Sequence, residues 1–219
     1  MNTLKIGELV IDNSIFPRSA LNYVHVDALK NALLSGAAFP PLIVERSTKR
    51  IVDGTHRYNA YKVIYGDQHD VEVEFRDFTD DNELWLAAVE ANTAHGLGYG
   101  VYDRRKILVE AERRGIKREL IADVLKMPLE KVERRLVTST AFVKTPAGQE
   151  RVALRTPMKP LAGRVLTRRQ EEANKKSAMT AEYHCRMLME LLRGGLLSWC
   201  SRKTKTTVVL LHKELAKQV

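Results

Sequence analysis

The glycine cluster Gly96-Leu97-Gly98-Tyr99-Gly100 divides this chain into two stretches with different hydrophobic periods, and that change of period is what most restricts its fold. Upstream, strand-length apolar runs alternate with helical spacing, which argues a mixed α/β domain. Val71, Val73 and Phe75 alternate with Glu72, Glu74 and Arg76, the period of a half-buried strand. Val26, Leu29, Leu33 and Leu34 fall on one helix face that Pro40-Pro41 stops, since proline has no N–H to donate. Leu42-Ile43-Val44 then predicts a short buried strand, and Ile51-Val52 its hairpin partner across the polar turn Ser47-Thr48-Lys49-Arg50. Leu4-Lys5-Ile6 and Leu9-Val10-Ile11 read as extended, and Thr79-Asp80-Asp81-Asn82-Glu83 as a capped helix start leading through Leu84, Trp85, Ala88 and Val89 to about Asn92.

Downstream of the glycines everything reads helical. Tyr102 to Arg114 is predicted to end at Gly115, followed by helices from Lys117 to Lys126 and from Pro128 to about Thr138. Lys144–Gly148 and Thr156–Pro160 are punctuation, and further helices are expected over Leu161–Lys176, Thr180–Arg193 and Thr206–Gln218. The expectation is an α+β chain: an α/β domain over 1–98, a helix-turn-helix domain over 99–142, and a basic helical region over 143–219.

Charge follows the same division. Residues 1–98 hold 9 Lys+Arg against 14 Asp+Glu, a net of −5, and residues 99–219 hold 27 against 13, a net of +14. A basic half attracts a polyanion by neutralising phosphates and releasing counterions, so DNA is expected on the downstream half. The plain alternative is that these side chains solvate helix faces.

No apolar run reaches the roughly 18 residues of a membrane span, and the N-terminus lacks a secretory pattern, which points to a cytoplasmic protein. The two cysteines, Cys185 and Cys200, have no zinc spacing and read as reduced thiols. No structural metal set and no catalytic set stands out.

The stretch that carries chemistry is Ile51-Val52-Asp53-Gly54-Thr55-His56-Arg57-Tyr58-Asn59-Ala60-Tyr61-Lys62, a strand, a sharp turn and a helix start. Gly54 allows close approach of the backbone to a ligand. The helix N-terminus presents N–H groups, His56 and Arg57 add donors and positive charge, Thr55 adds a hydroxyl, and Asp53 holds the turn or a metal. This suits a polyphosphate, although the glycines of a Walker loop or a dinucleotide fingerprint are absent. The same spacing also fits a capped helix with an ordinary surface His and Arg.

These residues resemble the phosphate-binding box of the ParB/sulfiredoxin superfamily. Gly54, Arg57 and Ala60 match the G-E-R-R-x-R-A of partition proteins, and Gly54, His56, Arg57 and Tyr58 match the G-G-C-H-R-Y of sulfiredoxins. Thr55 stands where sulfiredoxins carry cysteine, which excludes that thiol chemistry. The resemblance runs over about residues 4–140. Phe16-Pro17-Arg18 lies where partition proteins have Q-P-R, and Ala88 to Leu97 where they have E-N-x-Q-R, of which Asn92 is retained. Asn92-Thr93-Ala94-His95-Gly96-Leu97 is similar to the N-x-x-H-G-L of ParB-domain transcriptional regulators and mobile-element proteins. The resemblance implies a ParB/sulfiredoxin-like N-terminal domain and a nucleotide, CTP or ATP with Mg2+, held by Arg18, Asp53, Gly54, Thr55, His56, Arg57, Asn92 and His95.

Lys117 to Leu136 fits a helix-turn-helix, with Ala122 at the helix crossing and Lys126 at the turn position where Gly is usual, a poor choice for φ > 0. Its second helix is expected in the major groove, with Lys117, Arg118, Lys131, Arg134 and Arg135 toward phosphates or base edges. The stripe Tyr183, Met187, Leu188, Leu191, Leu192 and the positions Val208, Leu211 and Leu215 read as core or a dimer seam. The function expected is a DNA-binding ParB-like regulator or partition factor modulated by a nucleotide. The alternative is an enzyme on the same fold, a nuclease or NTPase, or a free-serine kinase, whose acidic base is missing beside Phe16-Pro17-Arg18. A pure protein-interaction module is the third class.

Overall fold

Tyr99 and Gly100 do not separate two cores; a single apolar cluster continues across them. The computed structural model of the chain describes residues 2–94, 98–176 and 206–210. The chain forms two compact units, 1–171 and 172–219. In the second, residues 172–176 and 206–210 are helical. The first carries both sheets and the helices between them.

The upstream half builds a four-stranded mixed sheet. Strand β1 (Asn2–Lys5) pairs antiparallel with β4 (Asp70–Arg76), β4 runs parallel to β2 (Leu42–Glu45), and β2 pairs antiparallel with β3 (Ile51–Asp53), giving the order β1-β4-β2-β3. The period-two reading of β4 holds, with Val71 and Val73 buried and Glu72 and Glu74 exposed. The hairpin of Leu42-Ile43-Val44 with Ile51-Val52 is present. Leu9-Val10-Ile11 follows a 3-10 turn, Ile6–Glu8, and Val10 forms a lone bridge to Arg50.

Helices α1 (Tyr23–Leu34) and α2 (Thr55–Tyr65) pack together through Val26, Leu33 and Ala60. Helix α3 (Asp81–Ala94) begins at a reciprocal cap. Asp80 accepts from the amides of Asn82 and Glu83, both at 2.8 Å, and Glu83 accepts from the Thr79 amide at 2.7 Å. Arg50 ties the strands to this cap, reaching Glu45 at 2.7 Å, Asp81 at 2.7 Å and Asp12 at 3.2 Å. These three carboxylates hold its guanidinium charged well above the usual arginine range.

Downstream, α4 (Val101–Arg113), α5 (Arg118–Val124) and α6 (Leu129–Thr138) match the expected helices within one or two residues. Gly115 sits at φ +70 after α4, and the Ile116 amide bonds the Ala111 carbonyl at 2.9 Å, the expected left-handed cap. Leu84, Trp85, Ala88 and Val89 of α3 share one core with Ile107, Leu108, Ile121, Leu125, Val132 and Leu136. Residue 98, the expected boundary, lies within the span of this core.

The structure departs from the all-helical expectation at residue 139. Strands β5 (Thr140–Thr145) and β6 (Gly148–Ala153) form an antiparallel hairpin directly after α6. A 3-10 segment, Thr156–Leu161, and helix α7 (Arg168–Lys176) then replace the single helix expected over 161–176. The physical reason lies in the residues: Thr140, Phe142, Val143 and Val152 favour strands, and Pro146 with Gly148 at φ +127 closes the turn. Thr167 and Gln170 form a capping box that starts α7. The expected helix at 180–193, the stripe from Tyr183 to Leu192, Cys185, Cys200, Leu211 and Leu215 lie outside the described residues.

Because α3 and α4 share one core, Leu108→Ala is expected to destabilise both halves together, by about 2–5 kcal/mol. Urea unfolding followed by far-UV circular dichroism and by tryptophan fluorescence is expected to shift as one transition; two separated transitions in the wild type would overturn the shared core.

Candidate functional site

The turn after β3 places Gly54 at φ +100, where an L side chain is strained, and a Cβ there would lie 2.5 Å from the Leu42 side chain. Glycine is therefore required twice, by conformation and by contact. From Gly54 the chain enters α2 with no side-chain cap, leaving the first-turn N–H groups of the helix without side-chain acceptors.

Beside this turn lies a cavity of about 440 Å³, within the range of small-molecule sites (about 300–1,000 Å³). Phe16, Leu29, Phe39, Pro40, Pro41 and Ile43 form apolar wall, and Arg18, Asp53, Gly54, Thr55, His56, Arg57 and Asn92 also line it. Seven of the eight residues expected to hold a nucleotide thus converge on one cavity. The eighth, His95, lies outside the described residues.

The local roles of Arg57 and His56 differ from the expected ones, whereas Asp53 keeps one of the two expected of it. Arg57 donates to the carbonyls of Pro40 and Pro41 and, at 2.7 Å, to the Asp53 carboxylate, so it clamps the double-proline segment to the turn. Asp53 holds the turn through this pair. His56 is buried, and its Nε2 accepts from the Asn22 amide at 3.2 Å, which fixes the residue that caps α1. An acceptor nitrogen carries no proton, so the imidazole is neutral with its hydrogen on Nδ1. Burial foremost, then the neighbouring Arg18 charge and His25, push its pKa down to about 4. His56 therefore supplies no positive charge near neutral pH, contrary to the sequence reading.

The buried cation at the cavity is Arg18, only 4% exposed. Its guanidinium donates to Asn92 Oδ1 at 3.1 Å and to the Gly98 carbonyl at 3.3 Å, and lies 5.0 Å from the centroid of the Tyr99 ring. Asn92 is held in turn by the Ala88 carbonyl at 2.9 Å. Helix α4 grips the same loop: Lys106 donates to the Arg18 carbonyl at 3.1 Å, and Asp103 accepts from the Ser19 amide at 2.8 Å. Sequence reading missed Lys106 and Tyr99, which lie 80 or more residues along the chain from the loop they hold.

The expected DNA-binding residues lie on the downstream half. Ile121, Ala122, Leu125 and Met127 are buried where α5 meets α6. Lys126 takes φ +51, and the Met127 amide bonds the Ala122 carbonyl at 2.9 Å, so the turn keeps its left-handed residue without glycine. Lys117, Arg118, Lys131 and Arg134 are exposed. Arg135 is half-buried, 3.8 Å from the Met127 sulfur, and burial first, then Arg104 and Arg134, lowers its pKa. Among the described residues no group of three or more His, Cys, Asp or Glu is placed to hold a metal ion, and no helix is long and apolar enough to cross a membrane.

Gly54→Ala is expected to cost about 2 kcal/mol or more in urea unfolding, since left-handed strain alone costs about 1–2 kcal/mol and the Leu42 clash adds to it. His56 has a folded pKa below its unfolded value, so its contribution to stability is full above about pH 6.5, falls as pH drops, and is gone below about 4. His56→Asn is expected to flatten that part of a urea-midpoint profile across this range; an unchanged profile would show that His56 is not buried neutral.

No family model matches the chain. Among curated proteins it is similar to the Streptomycin biosynthesis operon possible regulatory protein of Streptomyces griseus, 34% identical over 90 residues, 41% of this chain and 24% of that protein. It is also similar to Transcriptional regulator NovG of Streptomyces niveus, 35% identical over 104 residues, 45% of this chain and 31% of that protein. The matches thus span about a quarter to a third of the curated relatives. Among solved structures it is similar to the C-terminally truncated chromosome-partitioning protein ParB from Caulobacter crescentus complexed to the centromeric parS site, at TM-score 0.45 and 17% identity, covering 63% of this chain and 72% of that one. The same protein complexed with CTP-γ-S gives TM-score 0.38 and 20% identity, covering 62% and 77%. The curated relatives carry regulatory names, one of the kinds of protein that the sequence resembles.

Proposed function

We propose that this chain is a DNA-binding regulator of the ParB-like kind, in which a nucleotide held by the upstream half adjusts how the downstream half meets DNA. The observation that carries the reading is the α5-turn-α6 unit: two helices packed through Ala122 and Val132, with Lys117, Lys131 and Arg134 exposed and forming no ion pair among the described residues. Helix α6 enters the major groove, Lys131 and Arg134 meeting base edges or phosphates, and Lys117 and Arg118 fix the backbone. The two curated regulators support the regulatory half of the proposal.

The nucleotide half rests on the cavity. A base or sugar fits against Phe16, Leu29, Phe39 and Pro41, and the phosphates lie at the first turn of α2 with Thr55 and Arg18. CTP and ATP are the candidates. Asp53 is already paired with Arg57, and the described residues hold no set of three or more side chains placed to bind a metal ion, so no magnesium ligands are assigned. Arg18 bonds Asn92 of α3 on one side and Gly98 and Tyr99, just before α4, on the other. A ligand that draws Arg18 toward its phosphates changes the anchoring of α4, and differential affinity for the two arrangements supplies the coupling.

A random-library DNA selection with and without CTP or ATP, followed by affinity measurement on the recovered site, tests both halves. Lys131→Ala and Arg134→Ala are each expected to cost about 1–3 kcal/mol in binding. Arg18→Gln is expected to remove the response to nucleotide while leaving nucleotide-free DNA binding in place. Absence of any DNA binding at about 50 mM salt, where phosphate contacts are strongest, would sink the proposal.

A further inference from the structure

The hairpin that the sequence did not announce is placed for a task of its own. Only Ser139 separates α6 from β5, so the hairpin leaves directly from the helix proposed for the groove. Its position against α4 and α6 is fixed by several bonds. Arg151 reaches Glu112 of α4 at 2.7 Å, the Leu136 carbonyl of α6 at 3.2 Å and Thr140 at 2.9 Å, and lies over the Phe142 ring. Buried Arg105 of α4 donates to the Leu154 carbonyl at 2.8 Å. Arg155 stacks at 4.0 Å from the centroid of the Tyr102 ring.

The far edge of β5 is also closed. The Phe142 amide bonds the Arg164 carbonyl at 2.8 Å and the Leu166 amide bonds the Phe142 carbonyl at 2.7 Å, so residues 164–166 run beside β5 as a third extended segment. Ala141, Val143, Leu154 and Leu166 form a small core of their own beneath it. Such an appendage holds its shape when its tip meets a ligand.

Its charge is one-sided. Residues 140–169 contain 7 Lys+Arg and a single acid, Glu150. Arg151 is paired with Glu112 inside the fold, whereas Lys144, Lys159 and Arg164 are exposed and form no ion pair among the described residues. A fixed, strongly cationic appendage that begins where the groove helix ends fits one partner by charge, a polyanionic backbone running alongside that groove.

We propose that β5, β6 and the segment at Arg164 form a wing that grips the sugar-phosphate backbone of the duplex entered by α6, with Lys144 and Arg164 as its phosphate contacts. The inference rests on the DNA-binding reading above. It adds a second point of attachment, and with it a longer footprint than α6 alone.

The test compares three forms of the full chain on a mixed-sequence duplex across a salt series: wild type, Lys144→Gln with Arg164→Gln, and Lys5→Gln with Lys30→Gln on the upstream half as a charge-matched control. Each phosphate that is no longer neutralised reduces the slope of log affinity against log salt by about 0.9, so the wing variant is expected to flatten it by about 1.8. The control is expected to keep the wild-type slope. All four positions are at the surface or half-buried, so folding is not at stake. Equal slopes for the wing variant and wild type, or an equal flattening in the control, overturn the wing. Wild type that fails to bind DNA overturns the regulator reading and the wing with it, whereas binding weakened by Lys131→Ala but untouched by the wing variant overturns the wing alone.

Discussion

The described fold depends on one wide apolar face of α3 that is shared between the sheet and the downstream helices. Leu84, Trp85, Ala88 and Val89, at spacings i, i+1, i+4 and i+5, make one wide apolar face and are each at most 1% exposed. Part of that surface meets Val52 of β3, and the rest meets Ile107, Leu108 and Ile121 downstream. Removing either neighbour would leave this helix with a large apolar face in water, so the sheet and the helix-turn-helix are held as one body. Arg114 reinforces the joint, lying 5.2 Å from the centroid of the Trp85 ring and donating to the Ser14 carbonyl at 2.8 Å.

That joint bears on the cavity. Asn92, on the last turns of α3, orients Arg18; Tyr99, between α3 and α4, stacks on it; and Lys106 of α4 holds its backbone. Lys106 keeps this bond although burial lowers its pKa, with Asp103 and Glu110 acting the other way. The Phe16-Pro17-Arg18 loop is thus set by the α3–α4 pair as much as by its own neighbours. The glycine-rich segment is bridged by bonds on both of its flanks, which makes the cavity and α4 neighbours in energy as well as in space.

Much of this was legible in the residues and some was not, for physical reasons. Period-two alternation in β4, the cap at Thr79 to Glu83 and the glycine after α4 are local signals, and the structure keeps each of them; the helix expected to stop at Pro40-Pro41 ends earlier, at Leu34, where Gly36 takes φ +85 and the Ala37 amide bonds the Ala32 carbonyl at 3.0 Å. The turn at Gly54 and its neighbours could be recognised as one cluster because its residues are close in sequence or belong to known motif positions. What local reading could not see was which partners would satisfy them. Arg57 reads as a phosphate ligand until Pro40 and Pro41 turn their carbonyls toward it, and His56 reads as a cation until the Asn22 amide claims its Nε2. The β5–β6 hairpin was missed because its central residues Pro146, Ala147 and Gly148 look like a helix break, and its strands are only six residues each.

The uneven charge also takes on a different meaning once partners are assigned. Upstream acids are largely paired within the fold, as with Asp12, Glu45 and Asp81 around Arg50 and Asp53 with Arg57, cations that the net of −5 already counts. Downstream, Arg105, Arg114 and Arg151 serve the fold, holding backbone carbonyls or Glu110 and Glu112. The exposed cations that remain include Lys117, Lys126, Lys131 and Arg134 around α5 and α6, Lys144 on β5 and Arg164 beside it, with Lys159, Arg168 and Arg169 further along the chain. Cations left without internal partners along consecutive elements α5, α6 and β5 are what an extended anionic partner requires, since each phosphate met there releases counterions without first breaking a bond that the fold depends on.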